Sequence, residues 1–501
     1  MKEIKKSFWD FVTISGSTLL SIPLMIVSES IQARYLGPDN YGKVALFIGA
    51  ISLFYLFGMS WLKNTIMRFG KEEFINENHI RKTTGSFLLI NGSCFVFIAI
   101  IQYAFKTPVL DFLEIKNPDA VWIILIGLVL AAGKEFTFEA LKVVRQIKIQ
   151  QLLFRLASKI FIVIGILFLA FILFDVRVEY VILVFLGTDA LIILIGFIYI
   201  KKSYIFPLSY NSELIKKMVN YAFPLLFTSW SGYVVNWIDV YVIKYFMTLS
   251  DVGVYQAAYK IMSTLKSFWG AGLVTISTPI IMVFKTKNRS EKITEFYLRR
   301  LTPQISFFSM LIVAFVILFS DYILLFIYGE EFIASITPFK ILVASINISA
   351  ISYSILAIVT SFDMTKHMLL IGIMTGLLNI IMDVLLVPYI GITGAAISSA
   401  TIFSIGPVFW YFILNKAFQF NRPLVFVFPV IAYIILIVNI GLTDSFILRM
   451  FVTVLLLFIG FILGRRSDLF LPDDTKLFAN INMPGIIRNN LYTIIRLLAK
   501  K

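Results

Sequence analysis

Apolar and polar positions are arranged in blocks along this chain: runs of about 20 apolar residues, parted by short polar stretches, recur from one end to the other. A hydrocarbon core about 30 Å thick is crossed by about 20 helical residues, so each run predicts one spanning helix. About fourteen such runs lie near 9–32, 41–62, 84–105, 120–140, 153–174, 180–200, 221–246, 252–284, 302–328, 333–361, 367–388, 391–415, 424–441 and 446–464. The pattern predicts an all-α polytopic membrane protein.

The stretch SESIQARYLGPDNYG, from Ser28 to Gly42, sets the grammar of the runs. It places Glu29 and Arg34 at the far end of the first run, where a charge at mid-membrane would cost about 2.5–3.5 kcal/mol, so such residues face a protein interior or water. Gly37 and Pro38 are expected to stop the helix, with Asp39-Asn40-Tyr41-Gly42 turning the chain into the second run. About 210 residues later the run from Tyr221 carries Asp239 and Lys244 and ends at Ser250-Asp251-Val252-Gly253. Superposing Gly42 on Gly253 sets Asp239 opposite Ser28, one residue from Glu29. The two stretches predict an internal duplication, a common way of building transporters.

Composition sharpens the class. The chain has 501 residues, 59% hydrophobic and 15% charged, with a mean hydropathy of +0.90; soluble domains are about 45–50% apolar and 25% charged. One cysteine, Cys94, and two histidines leave no disulfide framework and no Cys/His zinc cluster to expect. A net charge of +15 raises the question of nucleic acid, but the charges fall in alternate loops. With the N-terminus cytoplasmic, about 33 of the 44 Lys and Arg lie inside and about six (Arg34, Lys43, Lys106, Lys116, Arg177, Arg449) outside, a strong positive-inside bias. Both termini are then cytoplasmic. Lys2, Lys5 and Lys6 precede a full-length run with no cleavage pattern, so an uncleaved start is expected.

Polar segments at 63–83, 201–219, 285–301 and from Arg465 onward are too short to fold as catalytic domains. In the tail, Ile487, Leu491, Ile494 and Leu498 share one face, which predicts an interfacial helix on anionic lipid. No phosphate-binding loop, nucleophile elbow or HExxH motif is present. The expectation is therefore a protein without enzymatic activity or cofactor, driven by an ion gradient, the membrane potential or the substrate's own gradient.

Candidate chemistry concentrates in a few runs. In 221–246, Ser229, Gly232, Asn236 and Asp239 form a polar stripe beside an aromatic stripe of Trp230, Tyr233, Trp237 and Tyr241. Rings with polar tips suit sugar faces in a wet cavity; ordinary packing is the alternative for each ring. Asp239 lies deep in its run and is a candidate ion site. Glu135 and Glu139 stand four apart, a spacing that would raise one carboxyl's pKa and suit ion coupling, unless Glu139 simply pairs with Lys142. Lys260 and Lys266 are candidate cations for an anionic substrate, and Arg34 lies at the outer boundary, where it can snorkel. Asp189 and Asp383 are deep carboxylates able to neutralise them.

Three segments resemble a known family. RYLGPDNYGKVALF is similar to the first hairpin of polysaccharide and oligosaccharide flippases of the multidrug/oligosaccharidyl-lipid/polysaccharide exporter superfamily. NWIDVYVIKYFMTLSDVGVYQAAYKI resembles that family's seventh and eighth helices, and LLNIIMDVLLVPYIGITGAAISSA its eleventh-to-twelfth hairpin. The resemblance implies two six-helix lobes (1–219 and 220–420) around a central cavity, two additional helices (421–464) beside a lipid tail, and a cytoplasmic amphipathic tail (465–501). It implies a cargo too: an oligosaccharide repeat unit, as of O-antigen or capsule, on a polyprenyl diphosphate, moved to the outer leaflet of a bacterial inner membrane by alternating access. Its motifs fall on Arg34, Leu36, Gly37, Pro38, Tyr41 and Gly42; on Asp239 and Gly253; and on Asn379, Pro388, Gly391, Gly394 and Ala395. Asp383 departs from the family's more usual Asn.

In this reading Lys260, Lys266, Lys134 and Arg34 meet the diphosphate, and Asn236, Trp237 and Tyr233 meet sugar. Asp239, Glu135 and Glu139 carry H+ or Na+. The partners are the lipid-linked oligosaccharide, membrane lipid and a glycan polymerase complex, with no metal site and no nucleic acid. The alternatives are ion-coupled efflux of drugs or organic cations, against which the intramembrane lysines count, and a membrane enzyme of glycan polymerisation, against which the short external loops count.

Overall fold

The computed structural model describes residues 2–115, 118–286, 291, 293–362, 364–442, 445–467 and 469–470. The interfacial helix expected in the 465–501 tail falls outside the described residues beyond 470, and so do the basic positions 116, 287, 289 and 292. Among the described residues every regular element is helical. Ten helices among the described residues are long and apolar enough to cross a membrane. Large apolar side chains lie open on their outer faces, among them Ile198, Tyr389, Ile437 and Ile447, as expected where lipid is the solvent. The protein is a multi-pass, all-α membrane protein.

The chain divides into two compact units: Met1–Ala257 with Leu325–Ile333 and Gly372–Ala395, and Ala258–Leu324 with Ala334–Ile371 and Ala396–Lys501. The helices that matter below are α1 (Lys2–Gly58), α2 (Arg81–Ala104), α3 (Ala120–Val143), α4 (Ile147–Phe171), α5 (Val178–Tyr199), α6 (Ser212–Phe246) and α7 (Leu249–Thr286). Further on are α8 (Ser320–Tyr328), α9 (Ile336–Ser361), α10 (Thr365–Phe418) and α11 (Phe446–Arg466).

Local sequence explains the ends of these helices. Asn211 caps α6 by accepting hydrogen bonds from the backbone of Glu213 and Leu214 at 2.8 and 3.2 Å. A capping box opens α7: Thr248 donates from its hydroxyl to Asp251 Oδ2 at 2.6 Å, and the Asp251 amide donates back to the Thr248 hydroxyl at 3.3 Å. The chain therefore leaves α6 at Met247, where the apolar run 221–246 ends. Glu73 caps α2, its two oxygens accepting from the amides of Lys82 and Thr83 at 2.9 and 2.8 Å.

In the first unit the breaks are sharper than the sequence suggests. Helix α1 is interrupted at one residue, Gly37, with φ +68° and ψ 173°, and helical geometry resumes at Pro38, whose fixed φ suits a first helical position. Asp39 to Gly42 thus form the first turn of the second helix instead of a separate turn. Helix α10 breaks in the same manner at Ile390 and Gly391. The first of these breaks meets the start of α7 backbone to backbone. A Cβ on Gly42 would stand 2.3 Å from the Leu249 carbonyl oxygen, and one on Gly253 would stand 2.0 Å from the Pro38 carbonyl oxygen. Gly42 and Gly253, which the expected duplication aligns, are therefore packed against one another.

The second unit is pinned by an ion triad of two buried cations and a half-buried carboxylate. Asp321 on α8 accepts Lys340 of α9 at 2.8 Å on one oxygen and Arg449 of α11 at 2.7 Å on the other. Lys340 and Arg449 are 3% and 5% exposed, so both cations depend on a single carboxylate. Changing Asp321 to Leu should cost about 3–5 kcal/mol, because two buried cations lose their counter-ion. Arg449→Met leaves a neutral pair and should cost clearly less. Thermal unfolding of the two variants in detergent checks the order.

Candidate functional site

The first unit holds a cluster of acid and amide groups drawn from three helices. Asp239 lies eight residues before Met247, and Tyr255 lies eight after it on α7. The Tyr255 hydroxyl donates to Asp239 Oδ2, which requires α6 and α7 to fold back on each other as a hairpin. On the other side, Asn379 of α10 donates from Nδ2 to Asp239 Oδ1 at 3.0 Å and to Asp383 Oδ2 at 2.8 Å. Asn379 and Asp383 are fully buried and Asp239 is 1% exposed. Their spacing of four residues puts Asn379 and Asp383 on one face of α10.

One side-chain amide thus bridges two buried carboxylates. The cluster ties α6, α7 and α10 together through these side chains. A second acid near the α1 break repeats the theme, since Tyr41 donates to the buried Glu29. The Tyr41 ring meets Tyr328 and Phe332 edge-on at 6.1 and 5.7 Å.

The other expected site residues fall in several places. Arg34 donates to the carbonyls of Leu325, Phe326 and Ile327 at 3.4, 2.6 and 3.4 Å, where a cation complements the C-terminal end of α8. Lys134 pairs with Asp189 at 2.6 Å. The two acids of α3 separate: Glu139 is buried and paired with Lys142 at 2.9 Å, whereas Glu135 lines a cavity with Lys134 and Asp189. On α6, Tyr233 and Trp237 stack with ring centroids 6.3 Å apart. Tyr233 also donates to the Gly49 carbonyl at 3.0 Å and shares a hydrogen bond with the Tyr241 hydroxyl at 2.7 Å. Asn236 is exposed on the same helix and donates to the Gly232 carbonyl at 2.5 Å.

In the second unit Lys260 is half-buried, and the Lys266 ammonium sits 3.1 Å from the centre of the Phe403 ring. Lys266 makes no ion pair among the described residues. Elsewhere, Glu73, Glu77 and His79 bring their ligand atoms within 4.8 Å. Both Glu73 oxygens are already occupied by the α2 amides, and Glu77 is paired with Lys82 at 2.7 Å. That trio is accounted for as a helix cap.

Sequence reasoning singled out Asp239 but missed Asn379 and Tyr255 as its partners, and it gave Asp383 no role at the site. The signal for the first and last was the Asn–x–x–x–Asp spacing inside an apolar run; for Tyr255 there was none.

Comparison with known proteins now bears on the arrangement. Residues 10–285, more than half of the chain, match the family described as polysaccharide biosynthesis protein. The chain belongs to that family. A probable low-salt glycan biosynthesis flippase of Haloferax volcanii is 28% identical over 197 residues, 38% of this chain; the match spans 40% of that relative's length. Among solved structures, the lipid II flippase MurJ in its inward closed conformation superposes with a TM-score of 0.69 at 17% identity, over 91% of this chain and 99% of the other. An inward-facing multidrug resistance MATE transporter of the MOP superfamily gives 0.60 at 16% identity, over 81% and 99%. The polysaccharide family thus carries here the fold shared by these transporters.

Proposed function

We propose that the protein moves a polyprenyl-diphosphate-linked oligosaccharide repeat unit from the cytoplasmic to the outer leaflet of a bacterial inner membrane, by alternating access, in surface polysaccharide biosynthesis. The observation that carries this reading is the membership of a polysaccharide family on a fold shared with a lipid II flippase along nearly its whole length. About fourteen crossings are part of the proposal: α1 and α10 each contribute two across their breaks, and α6 and α7 join the other spans. So are cytoplasmic termini, lobes at 1–219 and 220–420, and the added helices at 421–464.

A diphosphate cannot enter hydrocarbon bare, so fixed cations replace its water. Lys266 suits the task, its side-chain nitrogen lying against an aromatic face with no carboxylate paired to it among the described residues; Lys260 stands six residues, nearly two turns, earlier on α7. Hydrogen bonds to charged groups contribute about 1.5–3 kcal/mol, so Lys266→Ala should slow translocation roughly 10–150-fold, with Lys266→Arg retaining most of the rate in the same vesicle assay. The cluster of Asp239, Asn379 and Asp383 is the proposed site for the coupling H+ or Na+.

The MATE likeness favours a second reading, efflux of drugs or organic cations. Deleting the gene separates the two. Loss of a surface glycan with accumulation of its lipid-linked precursor supports flipping; intact glycan with new drug sensitivity refutes it.

A further inference from the structure

A cavity of about 410 Å³ opens inside the first unit, among α1, α3, α4 and α5. Eight of its lining side chains can hydrogen-bond or carry charge, and four of them are charged: Lys134, Glu135, Lys159 and Asp189. Its volume falls in the range of about 300–1,000 Å³ typical of small-ligand sites. The Lys134–Asp189 pair faces open space, for 37% of the Lys134 side chain and 24% of the Asp189 side chain remain accessible. Glu135 makes no ion pair among the described residues, although it points into the same cavity beside Tyr55.

The charge balance decides what such a cavity can hold. Two ammonium groups and two carboxylates sum to zero, so a diphosphate gains no net attraction and meets two carboxylates at close range. A metal cation meets two ammonium groups. A neutral molecule that both donates and accepts hydrogen bonds is served by every group present: amines donate, carboxylates accept, and hydroxyls do both. The flat face of Tyr55 adds a surface on which a sugar ring can lie.

We propose that this cavity is a sugar subsite, taking one ring of the cargo glycan by its hydroxyls. The subsite rests on the flippase reading above and deepens it, moving Lys134 from the diphosphate to the glycan. Lys134 and Asp189 hold adjacent hydroxyls as donor and acceptor, and Glu135 accepts from a third.

The test uses the full-length protein in lipid nanodiscs with two probes: bare polyprenyl diphosphate, and the lipid-linked oligosaccharide extracted from cells lacking the gene. The variants are Glu135→Gln, which keeps shape, and the exchanged pair Lys134→Asp with Asp189→Lys, which keeps the ion pair but reverses its donor and acceptor. Wild type is expected to bind the glycosylated lipid more tightly than the bare one. Both variants should lose at least about tenfold toward the glycosylated lipid while staying within twofold for the bare carrier. If the exchanged pair fails to fold, Glu135→Gln alone decides. Equal losses for both lipids, or none for either, overturn the subsite. Wild type that binds the bare carrier but gains nothing from the glycan also overturns it while sparing the flippase reading; wild type that binds neither lipid overturns both.

Discussion

A leucine at position 253 should leave no folded protein in the membrane. A Cβ there stands 2.0 Å from the Pro38 carbonyl oxygen and 3.1 Å from the Gly42 amide nitrogen, and backbone cannot swing aside as a flexible side chain can. Overpacking a tight interface by a few methylenes costs about 1–3 kcal/mol. Here the obstacle is main chain at the meeting of α1 and α7, so the cost should exceed that range. Gly42→Leu should behave alike, since its Cβ meets the Leu249 carbonyl oxygen at 2.3 Å. Gly232 provides the contrast: it lies on α6 with nothing within 4 Å of a Cβ, and alanine there should be neutral or slightly stabilising. Yield and monodispersity after detergent extraction measure all three.

The second large effect belongs to Asp239. Replacing it with asparagine keeps the volume and the hydrogen bond from Tyr255 but removes one of the two carboxylates that the Asn379 amide bridges. One carboxylate with an amide neighbour binds a cation far less well than two. The variant should remain folded and lose its response to an imposed ion gradient. Coupling energies are typically about 1–3 kcal/mol, so the gradient-driven acceleration seen with wild type, roughly 5–150-fold, should fall to none. Asp383→Asn should do the same. The experiment compares vesicles with a sodium gradient, a pH gradient or neither. Whichever gradient accelerates wild type identifies the ion; a gradient response that survives in Asp239→Asn would remove the cluster from coupling.

Much of the architecture can be read from the sequence because membrane helices leave a coarse signature. Long apolar runs mark the spans, and Gly37 and Gly391 mark two breaks, since a positive φ at those points favours residues without a Cβ. The finer exits were harder to see. The start of α7 is set by a Thr248–Asp251 capping box that competes with the more conspicuous Ser250–Gly253 turn signal.

The candidate site was legible only in part. A deep Asp239 announces itself, but its partner Asn379 lies 140 residues away, and periodicity within one helix carries no information on which helix faces it. Glu135 and Glu139 show the same limit. Four apart, they share a face, yet Lys142 captures Glu139 on its own helix while Glu135 turns to the cavity. Lys134 likewise meets Asp189 across 55 residues of chain.

Transport of a glycan on its lipid across a bilayer can be followed in vesicles of defined lipid. Purified protein is reconstituted together with the lipid-linked oligosaccharide from cells lacking the gene. Oligosaccharide on the inner leaflet is then followed as it becomes open to an impermeant oxidant added outside. Protein-containing vesicles should expose the inner pool, and vesicles with Lys266→Ala should do so much more slowly. Exposure no faster than in protein-free vesicles, with correctly folded protein present, would rule out glycan-lipid translocation by this chain.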